Sequence, residues 1–269
     1  TQDRLGPMVR YAEDAAIVMQ AITRPDGRDM HVQDIPFNWN ANLDIKKLRV
    51  GYIKESFDNL TNATAKANFD KSLAVLKQIG ITNMVEVTIP EMETNVSAIN
   101  VEAGAFFDEY ARSGRMKVAR GSFGNQSNRL LPAVDYIQAQ RVRMMMMQKL
   151  EEATRHVDVY IVASNSNGVG GPPPRPAGAA ADAPRRQFNN GPQGPTQRHS
   201  TIANLAGYPA MNVPNGFGET GSPTNFVVFA QPFREAEIIA LVKAYQDVAG
   251  FHMMKPAKLD APPPATQQQ

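Results

Sequence analysis

The chain predicts an α/β fold with at least part of its sheet parallel. Two observations carry this. Leu48 to Ile53 and residues 84–89 read as short strands flanking a helical pattern at residues 62–79, so strand, helix and strand follow one another as a βαβ unit. Further strand patterns at Asp158 to Ala163, Ala210 to Pro214 and Thr224 to Ala230 alternate with helical ones.

Each element has a local reason. Residues 6–22 place Met8, Ala12, Ala15, Ala16, Met19 and Ile22 on one helical face, with Gly6 expected as N-cap and Pro7 in the first turn. Pro25-Asp26-Gly27 ends that helix. The helix at 62–79 turns Phe69, Leu73 and Leu76 inward and closes at Gly80. Residues 95–111 read as helix, and 134–156 form the strongest helical pattern in the chain. Residues 164–198 shift abruptly to Gly, Pro, Ala, Asn and Gln, which predicts a long loop or insertion. Residues 218–223 form a turn, and 233–249 a last helix with Ile238, Leu241, Val242, Tyr245 and Val248 on one face. The Pro- and Gln-rich tail from 257 to 269 reads as disordered, leaving one domain over residues 1–256.

Composition narrows the function. With 42% apolar and 20% charged residues, the 269-residue chain affords a sizeable core. A net charge of +2, with no basic run interleaved with aromatics, gives no reason to expect nucleic acid or an anionic membrane as a partner. No apolar stretch reaches the roughly 18–20 residues of a membrane span. The absence of cysteine excludes disulfides, thiolate metal sites and a cysteine nucleophile. His31, His156, His199 and His252 are scattered, without a second His at i+3 or i+4, so no metal is expected. Ser122, between Gly121 and Phe123-Gly124, lacks the spacing of a nucleophile elbow, and the glycines at 168–171 lack a phosphate-loop lysine.

One anomaly lies in the long helix. Projected at 100° per residue, Ala133, Tyr136, Ile137, Met144, Met147 and Leu150 define its apolar face. Gln140 falls inside that face and Arg143 borders it. Buried polar groups need partners. The two side chains either bind backbone carbonyls of a neighbouring segment, or line a cavity and hold a polar or anionic ligand group.

Several segments together resemble the amidase-signature family: Asp3 to Arg10 with Asp14-Ala15-Ala16, Leu48 to Tyr52, Asp135 to Arg143, Val157 to Val162, Asn204 to Ala210 with Val213 to Phe217, and Phe229 to Ala236. The resemblance covers roughly residues 3–256 and implies a mixed sheet covered by helices on both faces, here incomplete. It implies hydrolysis of an amide C–N bond by a Ser-Ser-Lys set, without metal or organic cofactor. Those three residues precede the Asp-x-x-Gly-Pro segment, which here begins at residue 3, and nothing in the chain resembles the Gly-Gly-Ser signature. Together with a first residue that is not Met, this leads us to expect a C-terminal part that is inactive alone and takes the N-terminal part of the same enzyme as its partner. Resemblance to glutamyl-tRNA amidotransferase A subunits places Arg143 where a substrate carboxylate is held, with Gln140 beside it. The acid that those subunits use for a substrate amino group falls near Gln197, which makes a general amidase the better reading. The alternatives are the A subunit of a glutamyl-tRNA amidotransferase and a non-catalytic binding or assembly module.

Overall fold

In the computed structural model, the described residues are 2–30, 32–92, 97–115, 130–164, 195–219 and 221–255. Short strands rich in Val and Ile build the centre. They are β1 (Val50–Ile53), β2 (Val85–Val87), β3 (Val159–Ala163), β4 (Ala210–Phe217) and β5 (Pro223–Ala230). Helices α1 (Ala12–Ile22), α2 (Lys54–Asp58), α3 (Ala63–Gln78), α4 (Val101–Phe106), α5 (Asp108–Arg112), α6 (Ala133–Thr154), α7 (Pro195–Ala206) and α8 (Glu235–Ala249) surround them. The sheet runs in the order β2-β1-β3-β5-β4. β1 pairs in parallel with both β2 and β3, whereas β5 pairs antiparallel with β3 and β4. The expected α/β class and mixed sheet are therefore observed.

Strand alternation divides the core in two. Val159, Ile161, Val213, Phe226 and Val228 face one layer, where Ala12 and Ala16 of α1, Phe69 and Leu76 of α3, and Ile238, Leu241 and Tyr245 of α8 meet them. Tyr160, Val162, Val227 and Phe229 face the other, against Ala139, Met146 and Leu150 of α6 and Ile202, Leu205 and Ala206 of α7. Gly51 is required where the layers are tight, since a Cβ there would sit 2.7 Å from Val87 Cγ2. On the α6/α7 side, Ala210, Asn212 and Pro214 of the edge strand β4 are exposed.

Several boundaries differ from expectation. α1 begins at Ala12, not near Gly6, because its first turn is satisfied from outside the segment. The Gln246 side chain of α8 accepts from Ala12 N at 2.9 Å and donates to Arg10 O at 3.3 Å. Residues 2–9 form no regular element, and Met8 is exposed. The helical stretch at 95–111 is broken into a short turn at Ser97–Asn100, α4 and α5. α7 starts inside the stretch read as loop or insertion; residues 165–194 and 256–269 lie outside the described residues. By contrast, α3 starts as read, with the Asn62 side chain accepting from Ala65 N at 2.8 Å.

A charge cluster around the buried Asp158 ties one end of the sheet together. Asp158 precedes β3 and accepts from Arg49 N at 2.7 Å, Arg49 Nη2 at 2.8 Å and Arg234 Nη1 at 2.8 Å. Arg234 also donates to Glu237 at 2.8 Å. Burial pushes the Asp158 carboxyl up, but the hydrogen bonds from Arg49 and Arg234 outweigh it and hold the group at about 2.

Candidate functional site

The α6 helix presents a different face from the one its sequence suggests. Ala139, Met146, Leu150 and Thr154 are its buried residues, while Ile137 and Met144 are exposed. Gln140 and Arg143 lie beside the buried stripe, both half-buried. They sit one turn apart on the same wall.

Their partners come from α4, from α7 and from α6 itself. Gln140 Nε2 donates to Glu102 Oε1 and to Tyr136 Oη, each at 3.1 Å. Tyr136 Oη donates to the same Glu102 oxygen at 2.9 Å. This triangle ties α4 to α6, and the bond to Glu102 raises the Tyr136 phenol above its ordinary value. Arg143 Nε donates to Leu205 O, in the last turn of α7, at 2.7 Å. The neighbouring carbonyl, Asn204 O, accepts from Arg4 Nη2 at 2.6 Å. Gly207, at φ 79°, ends α7 immediately afterwards. Two guanidiniums thus meet the negative end of one helix.

Of the two readings open for Gln140 and Arg143, the first is seen at Arg143. Arg143 does bind a backbone carbonyl. Among the described residues, however, its terminal nitrogens meet no acceptor. Gln140 bonds to side chains, not to backbone. Sequence reasoning missed Glu102 and Arg4, which the fold brings to this wall from segments far apart in the chain. The Gln197 side chain lies outside the described residues.

Other polar groups do not join this site. His199 is buried, with Nε2 2.9 Å from Tyr160 Oη and its ring edge-on to Phe229. Burial pushes the Tyr160 phenol far up. An open cleft of about 280 Å³ at the carboxyl ends of β1 and β2 is lined by Lys54, Glu55, Asp58 and Glu86, among others, and by no residue of α6. Its Lys54 is already paired with Asp58. Among the described residues, no group of three His, Asp or Glu side chains converges as a metal site would require, and no helix is long and apolar enough to cross a membrane.

Comparison with known proteins decides the family. The Amidase family profile matches residues 1–239. The chain belongs to the amidase family. Its curated relatives include the A subunit of the glutamyl-tRNA(Gln) amidotransferase of Thermodesulfovibrio yellowstonii, 25% identical over 94% of this chain and 56% of the relative. The corresponding A subunit of Myxococcus xanthus is 26% identical over 91% of this chain and 54% of its own length. This amidase-family chain thus spans about half the length of the curated relatives it matches. Solved structures share its fold. The glutamyl-tRNA(Gln) amidotransferase A subunit of Thermotoga maritima superposes with a TM-score of 0.60 at 19% identity, over 91% of this chain and 53% of that one. A bacterial aryl acylamidase of the amidase signature enzymes gives 0.63 at 14% identity, over 92% and 53%. The 6-aminohexanoate cyclic dimer hydrolase gives 0.64 at 12% identity, over 94% and 56%.

Proposed function

We propose that this chain is one part of an amidase that hydrolyses linear amides to a carboxylate plus ammonia or an amine. The observation that carries the reading is the family match over residues 1–239 in a chain spanning about half its relatives' length. A serine nucleophile, its relay serine and a lysine base come, on this reading, from outside these 269 residues. A serine hydroxyl needs such a base, because it is a weak nucleophile at its own pKa. The chain contributes the α4–α6–α7 wall, where Arg143 holds a carboxylate on the substrate and Gln140 supports it. The partners are a small-molecule amide and the Ser-bearing part of the enzyme.

A second reading is supported by the relatives' names, since those from T. yellowstonii and M. xanthus are A subunits of glutamyl-tRNA(Gln) amidotransferases. Against it stands Gln197 in place of the acid that would hold a glutamine amino group. Co-purification with partner subunits and tRNA-dependent amide transfer would establish it over the first reading.

The deciding experiment is an amide-hydrolysis assay on a neutral aryl amide, with this chain alone and with the chain joined to its Ser-bearing part. Amine release only from the joined protein is the expected result. Release by the 269-residue chain alone would place the nucleophile within it and overturn the reading.

A further inference from the structure

The two layers of helices cover the sheet unequally. On the face of α3 and α8, Val213 of β4 is fully buried and Met211 packs partly into the core. On the opposite face, Val227 and Phe229 of β5 are buried in the core shared with α6 and α7. Their cross-strand partners Asn212 and Ala210 are nevertheless exposed, as is Pro214. Among the described residues, the α6/α7 layer therefore stops at β5 and leaves one face of β4 bare.

The outer rim of β4 is open as well, among the described residues. The two outermost strands differ in how they are guarded. β2 is three residues long and exposes Glu86, the short and charged form that discourages pairing. β4 is eight residues long and carries no charged side chain. Its phase follows from the bond of Ala230 N to Pro209 O at 3.2 Å, one step before the Ala210–Phe229 pair. Only alternate residues of an antiparallel strand bond to a given neighbour. Met211 and Val213 thus turn their N–H groups to β5, while Ala210 and Asn212 turn theirs to the rim. Pro214 falls on the rim phase, where its missing N–H costs β5 nothing. The segment around Arg4 lies close by. Arg4 Nη2 donates to Asn204 O at 2.6 Å and lies 3.7 Å from where a Cβ on Gly207 would sit, just ahead of β4. Leu5 and Met8 of the same segment are exposed.

We propose that the rim and bare face of β4 are the surface on which the Ser-bearing part of the enzyme docks. A strand of that part pairs along Ala210 to Val213, and its side chains cover Ala210, Asn212 and Pro214. This rests on the function proposed above and deepens it by locating the contact. Two facts single out that occupant. The chain spans about half the length of its curated relatives, so on that reading a part of comparable size has to be accommodated. Polypeptide joined ahead of Arg4 emerges at the end of α7, beside the start of β4.

Amide hydrogen exchange, resolved to single residues by electron-transfer fragmentation, tests this on the 269-residue chain and on the protein joined to its Ser-bearing part. The Ala210 and Asn212 amides should exchange about tenfold or more slowly in the joined protein, while those of β2, on the opposite rim, keep their rates. Unchanged rates at Ala210 and Asn212, or slowing confined to β2, overturn the proposal. So does slow exchange of both amides in the 269-residue chain alone, which would show that a second copy or the chain's own residues already fill the rim. A variant probes the same contact. Ala210→Pro removes one rim N–H and no bond to β5. It should lower the melting temperature of the joined protein by about 3 °C more than that of the 269-residue chain. Equal shifts in the two proteins refute a strand on that rim. Neither readout needs turnover, so the hydrolysis assay on a neutral aryl amide reports on the amidase reading separately. A joined protein that releases amine without protecting Ala210 and Asn212 keeps that reading and loses the docking surface; one that protects them without releasing amine does the reverse.

Discussion

Replacing Asp158 with Asn should expose the electrostatic anchor of the sheet. Asp158 is only 8% exposed and accepts from both Arg49 and Arg234. Its pKa is held at about 2 against an ordinary 3.8. Each pH unit of that displacement is worth about 1.4 kcal/mol, so the ionised form contributes about 2 kcal/mol to folding. The sign follows from proton uptake. Below pH 3.8 the unfolded chain takes up the proton before the folded one does. The contribution is thus complete above the unfolded value and drains away as pH falls towards about 2. Asp158→Asn should cost about 2 kcal/mol at neutral pH, with the gap from the parent closing between about pH 4 and pH 2. Urea unfolding followed by the fluorescence of Trp39, the chain's single tryptophan, measures this directly. A penalty that stays constant across that range would show that Asp158 acts through packing and not through its charge.

Three further outcomes are expected. Gly216→Ala should cost about 3 kcal/mol in thermal unfolding, because Gly216 has φ 148° and a Cβ there would lie 2.6 Å from Asn68 Nδ2. That amide also bonds to Thr224 Oγ1 at 3.0 Å and Phe217 O at 3.1 Å, so it has little room to retreat. Phe233→Gly should raise stability by about 1 kcal/mol, since Phe233 holds φ 67° with 63% of its surface exposed; an unchanged or lower melting temperature would assign the ring a packing role. In the joined enzyme, Arg143→Ala should raise KM for carboxylate-bearing amides at least tenfold more than for neutral ones, and equal effects on both would mark Arg143 as purely structural.

Much of this fold can be read from local signals. α3 carries its own stop and start, Gly80 and Asn62, and its buried Phe69 and Leu76 follow helical spacing. The paired strands β1 and β2 follow from short Val/Ile runs around that helix. Where the cause is distant, the reading fails. The start of α1 depends on Gln246, far along the chain, so Gly6 and Pro7 mislead. The four methionines Met144 to Met147 point in all directions around α6 and blur its hydrophobic contrast. The projected face is therefore rotated, and Ile137 and Met144 emerge exposed. Gln140 and Arg143 could still be singled out, because polar groups within an apolar stripe demand partners. Glu102 and Arg4 could not, since nothing in their own neighbourhoods announces a meeting that only the folded α4, α6 and α7 bring about.

Among the described residues β4 is an edge strand, and this has a consequence for how the chain behaves in company. A strand with one free rim is a template on which other chains can add. In β4 that template is interrupted twice within a few residues. Pro214 has no N–H to offer, and the register shifts between Pro214 and Gly216. An incoming strand therefore meets a regular ladder only along Ala210 to Val213, too short a stretch to support indiscriminate stacking of copies.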